Sequence, residues 1–537
     1  MQEGQNTNVR SAVSSFNRDE MEKTVEARAS ELGLPYFDSR KAEISPDVLS
    51  LVGVQEAQKG VIPLGKKEKQ LSLGVADPNA PVSKDQIHYL SQFFKVTPTL
   101  ISWESVKDIL PRYGGLTKQQ LEKTEDYEIT AFETPLTFAE LESQINSAPL
   151  QNILSFIVSS AIQSKASDIH LEPEKEGARI RLRIDGVLHI VGKLTDERFK
   201  YILSQIELSS GMKLNAEESQ EGRLEVKLTG KNISVRVETM PTLYGDDISL
   251  RLFNTEATML QLSDLGLYDY HKNIIDRALA RPQGMILVVG PTGAGKTSTI
   301  YAVLNVLNKP EVKIITLEDP IEYALPGLTQ SQIHEGESFT ERLKAVLRED
   351  PDIVMVGEIR EAETADVALH AALTGHVMIS TFHAYNAATA ISLLKEIATN
   401  DSLLASGINL ICAQRLVRKL CESCKTEKAL TPAEQEFAQK TFESLPDEVK
   451  GNRQLKFYES NGCDKCNGLG YAGRIGIFEL LPMSVELQKL VSREDITVQE
   501  LQDAAHKSGM ITMEEDGLLK AIDGTTSLSE VMKAIKE

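Results

Sequence analysis

The segment Gly290-Pro291-Thr292-Gly293-Ala294-Gly295-Lys296-Thr297 constrains the fold of this chain more than any other segment does. It matches the phosphate-loop pattern G-x-x-x-x-G-K-[ST], and Ser298 follows it directly. The apolar run MILVV precedes it, and the helical stretch KTSTIYAVLNVL begins within it. A strand before the loop and a helix after it let backbone N–H groups and the helix N-terminus face the phosphates. The sequence therefore predicts a nucleotide site on an open α/β sheet.

Two side chains of this phosphate loop have predicted roles. Lys296 is placed to reach the β- and γ-phosphates, and the Thr297 hydroxyl is placed to occupy one magnesium position. Guanine recognition would need an Asn-Lys-x-Asp segment, and the nearest match, NKPE at 308–311, falls at the end of the helix that follows the loop. We therefore predict that the nucleotide is ATP.

Four apolar runs follow one another after about residue 268: GMILVVG, VKIITLED, DIVMVGE and GHVMIST. They are apolar on both faces and are separated by stretches with helical character. Strands buried on both faces are typical of parallel sheets that crossover helices cover. We therefore predict a nucleotide-binding α/β core.

Acidic residues stand at the ends of two of these runs. Glu318 ends the second run, and Glu358 follows Gly357, which occupies the place where nucleotide hydrolases usually have an aspartate. The carboxyl ends of parallel strands share one edge of the sheet, so we expect both acids beside the γ-phosphate. One carboxylate would hold magnesium, directly or through water, and the other would orient the attacking water.

Two histidines flank the fourth run, His376 before it and His383 after it. A histidine at a strand end near a γ-phosphate can sense that group by hydrogen bonding. A histidine near a sheet can equally be a structural residue, and the sequence favours neither role.

The chain before residue 268 has a different pattern. Residues 24–145 contain short apolar segments closed by turn signals, and the stretch after Thr117 is acidic. A helical segment, LQNILSFIVSSAIQSK, then precedes the runs ARIRLRIDGVLHIV, GRLEVKLTG, ISVRVETM and DISLRLF. Their alternation of polar and apolar residues predicts a largely antiparallel sheet with one polar face.

Four of the five cysteines form two pairs, Cys421-x2-Cys424 and Cys463-x2-Cys466. Two such pairs are typical of a structural zinc site with tetrahedral thiolate coordination. The gap between the pairs is longer than in common zinc ribbons, so we expect a helical insert to bring the pairs together. Cys412 is predicted to be a small buried hydrophobic residue.

Charge and hydropathy narrow the possible partners and location. The formal net charge is −20, which disfavours a nucleic-acid backbone as the main partner. No apolar run approaches the roughly 18 residues of a membrane-spanning helix, and the N-terminus lacks the apolar segment of a signal peptide. We predict a cytoplasmic protein that meets a membrane only through partner proteins.

Together these segments resemble the secretion ATPases, the family of type II secretion and type IV pilus assembly motors. The resemblance rests on GPTGAGKTST, TLEDPIEY, LREDPDIVMVGEIRE, TGHVMISTFH and AQRLVRKLCESC, and it extends to ASDIHLEP, RLRIDGVL and GYAGRIGIFELLP. It covers roughly residues 150–537, and residues 30–105 resemble the family's N-terminal adaptor module more loosely. The resemblance implies a hexameric ring whose subunits pair a PAS-like domain with a RecA-like ATPase domain, with nucleotide between the two.

The resemblance also implies residue roles. Glu318 would activate water, Glu358 would serve magnesium and hydrolysis, and His383 would contact the γ-phosphate region. Arg223 and Arg236 match the arginines of the PAS-like domain that complete the site in this family. Without the resemblance, these arginines indicate only a solvated strand face. The segment AEESQEGR before Arg223 is shorter than the usual family form.

The resulting fold prediction is an α/β multidomain chain. It comprises an N-terminal α/β adaptor module with an acidic linker (1–145), a PAS-like α+β domain (146–264) and a RecA-like ATPase domain (265–537). The last includes a tetracysteine zinc insert (412–476) and C-terminal helices (481–537).

The predicted function is that of a homo-hexameric, magnesium-dependent ATPase that powers type IV pilus assembly at the inner face of the cell membrane. It would act through an inner-membrane platform protein. Type II protein export is the first alternative, because both machines use this domain set. A nucleic-acid-processing RecA-like motor and a zinc-bearing scaffold with an inactive nucleotide site are further alternatives. The acidic balance disfavours the motor, and the intact Lys296, Thr297, Glu318 and Glu358 disfavour the scaffold.

Overall fold

The chain divides into an N-terminal unit, residues 1–254, and a C-terminal unit, residues 255–537. The computed structural model describes residues 4–40, 44–49, 51–52, 54–91, 94–113, 129–130, 137–214, 216–228, 231–253, 261–334 and 336–536.

The N-terminal unit begins with a small α/β module. Its four-stranded sheet has the order β1-β4-β3-β2, with β3 parallel to β4 and antiparallel to β2. Side chains that alternate along β3, Leu71, Leu73 and Val75, are buried in the module's core. The elements are α1 (Gly4–Leu32), β1 (Tyr36–Phe37), α2 (Pro46–Leu49), α3 (Val54–Gln58), β2 (Val61–Lys67), β3 (Gln70–Val75), α4 (Pro81–Leu90), β4 (Lys95–Ile101) and α5 (Trp103–Tyr113).

A second, seven-stranded sheet completes the N-terminal unit, in the order β5-β9-β10-β11-β6-β7-β8. Its elements are β5 (Ile129–Thr130), α6 (Phe138–Ser147), α7 (Leu150–Gln163), β6 (Asp168–Pro173), β7 (Ala178–Ile184), β8 (Val187–Leu194), α8 (Asp196–Ser209), β9 (Gln220–Leu228), β10 (Lys231–Thr242) and β11 (Gly245–Phe253). The predicted antiparallel pairing is confirmed for β6 to β11, whereas β5 lies parallel to β9. Along β7 the apolar residues are buried and the arginines between them are half-buried, as the alternation predicts. The strand β5 precedes residue 146 and α6 begins before it, and α6 packs against β8.

The C-terminal unit is built on a seven-stranded sheet in the order β14-β13-β15-β16-β12-β17-β20. All pairs are parallel except that of β17 with β20, so the predicted parallel α/β core is confirmed. Alternate residues of β12 enter two different apolar clusters, because helices cover both faces of the sheet. The core elements are α9 (Asp269–Leu279), β12 (Gly284–Val289), α10 (Lys296–Leu307), β13 (Ile314–Glu318), β14 (Thr329–Gln332), α11 (Phe339–Val346), β15 (Ile353–Val356), α12 (Ala362–Leu373), β16 (Val377–Phe382), α13 (Ala387–Ile397), α14 (Asp401–Gly407) and β17 (Ile408–Leu420).

The rest of the C-terminal unit contains the cysteine pairs and the terminal helices. The elements are β18 (Lys425–Glu427), α15 (Pro432–Ser444), α16 (Asp447–Lys450), β19 (Tyr458–Ser460), β20 (Tyr471–Pro482), α17 (Val485–Val491), α18 (Val498–Lys507), α19 (Met513–Ile522) and α20 (Leu528–Lys536). The helices α15 and α16 separate the cysteine pairs, and β18 pairs with β19 to bring the two ends together. In the part of the chain that the structure describes, no helix combines the length and apolar character needed to cross a membrane.

Candidate nucleotide and metal sites

The phosphate loop lies between β12 and α10, as predicted from the sequence. Gly295 is the N-cap of α10 and has a φ of +84°, a left-handed conformation that favours glycine. Because the loop ends where the helix begins, the first N–H groups of α10 are free of helical partners and available to an anion.

The Lys296 side chain folds back across the loop that precedes it. Its Nζ donates hydrogen bonds to the carbonyl oxygens of Gly290, at 2.8 Å, and Pro291, at 3.1 Å. Burial lowers the pKa of this amine, and the nearby Glu358 carboxylate opposes that shift. The loop thus holds a cation against its own carbonyls, where an incoming phosphate can compete for it.

The strand ends that carry the candidate acids lie at the same edge of the sheet as the phosphate loop. Val289 pairs with Phe382, Val356 pairs with Ser380, and Leu317 pairs with Val356. The four strands β12, β16, β15 and β13 therefore end beside one another, as expected for the carboxyl edge of a parallel sheet.

Glu318 is the last residue of β13, and its carboxylate is buried among three donors. The Tyr301 hydroxyl donates to one oxygen, and Thr316 Oγ1, at 2.6 Å, and Gln330 Nε2, at 3.0 Å, donate to the other. Burial and the adjacent charge raise the pKa of Tyr301, so its hydroxyl stays a donor at neutral pH. A buried carboxylate with three donors is held in one orientation.

Glu358 lies at the end of β15, beyond Gly357, in a more accessible setting. Its carboxylate forms an ion pair with Arg360, and His383 Nε2 lies 3.7 Å from its other oxygen. Hydrogen bonding to Glu358 raises the pKa of Arg360. The pKa of His383 is lowered, first by burial and then by the positive charge of Lys296.

Gly357 lies close to the end of β13. Its N–H donates to the carbonyl of Leu317, at 2.7 Å, and a Cβ at this position would lie 3.1 Å from that same oxygen. A Cβ here would require the backbone of β13 to shift slightly, and the carboxylate at this strand end belongs to the next residue, Glu358.

The two histidines lie at opposite ends of β16. His376 precedes the strand, and its Nδ1 lies 3.2 Å from the carbonyl oxygen of Ala371. His383 follows the strand, at the edge that also holds the phosphate loop. The structure thus brings His383, and not His376, to the candidate site.

The candidate arginines lie in the N-terminal unit, on the sheet formed by β5 to β11. Arg236 on β10 pairs in register with Arg223 on β9 and with Arg251 on β11. The Arg236 guanidinium contacts Glu221 at 3.0 Å and Glu238 at 3.2 Å, and the Arg223 side chain is exposed. Their placement forms a row of guanidinium groups across three strands.

The four cysteines of the two pairs converge, with all Sγ atoms within 4.8 Å of one another. Sγ of Cys421 lies 3.9 Å from that of Cys463, and Sγ of Cys466 lies 3.9 Å from that of Cys424 and 3.8 Å from that of Cys463. Tetrahedral zinc with Zn–S bonds of about 2.3 Å requires sulfur–sulfur distances of about 3.8 Å. The sulfur positions therefore fit zinc.

The surroundings of Cys466 favour a thiolate, whereas burial raises the pKa of Cys421 to about 11. Backbone N–H groups of Cys463 and Gly470 each lie 3.2 Å from Sγ of Cys466. Although burial opposes it, these donors lower the pKa of Cys466 to about 7. Cys412 differs, because complete burial raises its pKa to about 12, in agreement with its predicted packing role.

Several residues at the site were not predicted from the sequence. Tyr301 and Gln330 hold Glu318, Arg360 pairs with Glu358, and Gln414 contacts the phosphate loop. Arg360 stands within GEIRE and could have been suggested by its closeness to Glu358. The other three reach the site from separate elements, and no local pattern marks them.

Comparison with known proteins shows which family the chain matches. The family model described as "Type II/IV secretion system protein" matches residues 143–533. The chain is 33% identical to the type IV pilus assembly ATPase PilB of Myxococcus xanthus, over 99% of this chain and 94% of that protein. It is 34% identical to the type II secretion system protein E of Xanthomonas campestris, over 95% of this chain and 90% of that protein. It is 38% identical to the type II secretion system ATPase E of Vibrio cholerae, over 77% and 80% of the two chains.

Solved structures agree on the fold. The ATPase DotB of Legionella pneumophila superposes with a TM-score of 0.54 at 20% identity, covering 76% of this chain and all of that one. DotB of Yersinia pseudotuberculosis gives the same TM-score and identity over 71% of this chain and 93% of that one. The predicted multidomain α/β architecture with a RecA-like core is thereby confirmed.

Proposed function

The chain belongs to the type II/IV secretion system protein family, and on this basis we propose that it is a motor that hydrolyses ATP to power type IV pilus assembly. Family membership supports ATP hydrolysis, because the relatives of both machine types include named ATPases. The observation that most supports this proposal is that Lys296, Glu318 and Glu358 lie at one edge of the sheet, beside a complete phosphate loop.

The proposed binding step uses the phosphate loop, Gly290 to Thr297, together with Ser298. An incoming triphosphate would replace the carbonyls of Gly290 and Pro291 as the partner of Lys296. The exchange favours binding because a doubly charged phosphate attracts the ammonium group more strongly than a neutral carbonyl does. The first turn of α10 adds its N–H groups and partial positive charge.

The two acids have different proposed roles. Glu318, fixed by three donors, would orient and activate the attacking water. Thr297 and Glu358 would hold magnesium, since hydroxyl and carboxylate oxygens are its preferred protein ligands. Bound magnesium would neutralise charge that develops on the β- and γ-phosphates. His383, beside Glu358, would contact the γ-phosphate region.

The proposed assembly is a homo-hexamer in which Arg223 and Arg236 complete the nucleotide site. Guanidinium groups stabilise the charge of a transferring phosphoryl group, and their arrival would make hydrolysis depend on domain closure. Before that step the Arg236 guanidinium lies 3.0 Å from Glu221 and 3.2 Å from Glu238. Repeated closure and opening around a ring would give a displacement that a platform protein can follow.

The proposed zinc site has a structural role. Cys421, Cys424, Cys463 and Cys466 would hold the ion, which would crosslink β17 to the segment before β20. Zinc would thus tie a long insert to the sheet that carries the nucleotide site.

The proposed partner is an inner-membrane platform protein, which the motor would meet at the cytoplasmic face of the membrane. The names of the relatives support a role in pilus or secretion machinery, and they do not identify that partner. We further propose the domain limits 1–145, 146–264 and 265–537, with the zinc insert at 412–476 and terminal helices at 481–537.

The test of the chemistry is an ATPase assay on the purified full chain with and without magnesium. We expect hydrolysis that requires magnesium, and we expect Lys296→Ala to lose nucleotide binding. Wild-type protein that binds no ATP would contradict the proposal.

Type II protein export is the second candidate, because relatives with that name also match most of the chain. Replacing the chromosomal copy in the source organism with the Lys296→Ala variant separates the two. Loss of surface pili with normal protein export supports pilus assembly. Retained pili with blocked export would support the alternative.

A further inference from the structure

The side chain of Gln414 contacts the phosphate loop from the neighbouring strand. Gln414 lies on β17, one residue after Ala413, which pairs with Val289 at the end of β12. It is 1% exposed, and its Nε2 donates to the carbonyl oxygen of Ala294 at 2.6 Å. This contact joins the loop to a strand outside the phosphate-loop motif.

The contact fixes the direction of one backbone N–H group. A trans peptide is planar, so the carbonyl of Ala294 and the N–H of Gly295 point in opposite directions. Because Gln414 holds the carbonyl toward β17, the Gly295 N–H points away from β17. A phosphate loop needs such N–H groups turned inward around the anion.

Two glycines of the loop also lie against this residue. A Cβ at Gly290 would lie 2.6 Å from the backbone oxygen of Gln414, and a Cβ at Gly295 would lie 3.3 Å from its Nε2. The loop therefore lies close to Gln414 at three of its residues, Gly290, Ala294 and Gly295.

The amide is kept at an energetic cost. Its Oε1 is buried and has no hydrogen-bond partner within the described ranges of the chain. An apolar side chain of the same length would avoid this cost, since a buried acceptor without a donor is unfavourable. The compensating contribution is the single bond from Nε2 to the loop.

We propose that Gln414 is a positioning residue for phosphate binding, which orients the Ala294–Gly295 peptide so that the Gly295 N–H faces the phosphates. The inference rests on the proposed nucleotide site and adds a residue to it. In this proposal Gln414 acts through its contact with the loop and not through a contact of its own with the nucleotide.

The test measures binding of tripolyphosphate, which carries the phosphates without the base, to the full chain by titration calorimetry. Gln414→Met keeps the length and removes the amide. We expect its Kd to rise about tenfold, equivalent to about 1.4 kcal/mol. The KM for ATP should rise by a similar factor, with kcat within about twofold, because the loss concerns ground-state binding.

Cys412→Ala is the matched control, since it is a buried residue two positions earlier on β17 and lies outside the loop contacts. We expect it to lower thermal stability and leave the tripolyphosphate Kd unchanged. If Gln414→Met does not fold, Gln414→Asn, which keeps the amide and shortens its reach, serves in its place with the same expected rise.

The outcomes separate the two proposals. Wild-type protein that fails to bind tripolyphosphate would overturn the nucleotide site and this inference with it. Wild-type binding that is lost in Lys296→Ala but unchanged in the Gln414 variant would overturn the inference alone. A higher Kd for tripolyphosphate in the Gln414 variant, with the Kd of Cys412→Ala equal to that of wild type, supports the inference.

Discussion

The hydroxyl of Tyr301 donates a hydrogen bond to the carboxylate of Glu318. The bond joins α10, the helix that begins at Lys296, to the acid at the end of β13. One buried aromatic ring therefore connects the helix that begins at the phosphate loop with the proposed water-activating group.

The first prediction concerns this bond. Tyr301→Phe should lower kcat about tenfold and change the KM for ATP little, because Glu318 loses a positioning donor while the phosphate loop stays intact. Steady-state kinetics measure both values. Tyr323→Phe is the control. The Tyr323 ring packs edge-on against Tyr301, with ring centroids 4.7 Å apart, and the substitution removes a hydroxyl that does not bond to Glu318. Equal losses of kcat in the two variants would argue against the positioning role.

The second prediction concerns metal. Purified protein should contain one zinc per chain after dialysis. Cys421→Ser should lower the melting temperature clearly and change the Kd for ATP little, because the zinc site crosslinks the insert. Elemental analysis and thermal melts measure these quantities. Cys412→Ala should leave the zinc content unchanged. A metal-free protein in which the four paired cysteines react freely would disprove the zinc site.

The third prediction concerns Arg236. Arg236→Ala should reduce ATP turnover by about 100-fold, since one guanidinium at a transferring phosphoryl group has an effect of that order or more. Zinc content and melting temperature should be preserved. The loss of turnover caused by Arg223→Ala should be less uniform than that caused by Arg236→Ala. The reason is that the segment AEESQEGR, which ends at Arg223, is shorter than the form usual in the family it resembles.

Arg179→Ala provides the comparison for Arg236, because Arg179 lies on another strand of the same sheet and also pairs with glutamates, Glu172 and Glu174. It should leave turnover near the wild-type value. Normal turnover in Arg236→Ala would mean that this arginine belongs only to a solvated strand face.

The fourth prediction concerns pH. His271 is buried beside Asp516, whose oxygen lies 3.9 Å from Nδ1, with Lys520 and Tyr270 also close. Burial lowers the pKa of His271 to about 4. The unfolded chain takes up this proton near pH 6.5 and the folded chain does not, so stability is lost as pH falls below about 6.5.

The expected loss from His271 is about 2 kcal/mol of unfolding free energy between pH 7.5 and pH 5. Denaturant titrations at the two pH values measure it. His271→Phe should show a smaller decrease than wild type, whereas the exposed His334→Gln should match wild type. Equal pH dependence in wild type and His271→Phe would exclude this histidine as the cause.

Much of the C-terminal unit is predictable because its signals are local. The phosphate loop, the apolar strands β12, β13, β15 and β16, and the paired cysteines are each encoded in short segments. Contiguous apolar residues favour buried parallel strands wherever crossover helices are available. The predictions therefore needed no knowledge of distant contacts.

The features that escaped prediction depend on tertiary packing. The strand β14 is a polar segment, TQSQ, which pairs with β13 and supplies Gln330 to Glu318. The sequence TQSQ has no apolar alternation that would predict a strand. The segment is a strand because it pairs with β13. Tyr301 and Gln414 reach the site from a helix and a strand whose own patterns indicate only burial.

The central claim is that this sheet edge hydrolyses ATP, with Glu358 as the group that serves magnesium and turnover. The most direct measurement compares ATP binding and ATP turnover in wild-type and Glu358→Gln proteins. The account predicts that Glu358→Gln binds ATP as tightly as wild type and turns it over at least roughly 100-fold more slowly, the scale of one positioned catalytic group. Full turnover in the Glu358→Gln protein would contradict the account.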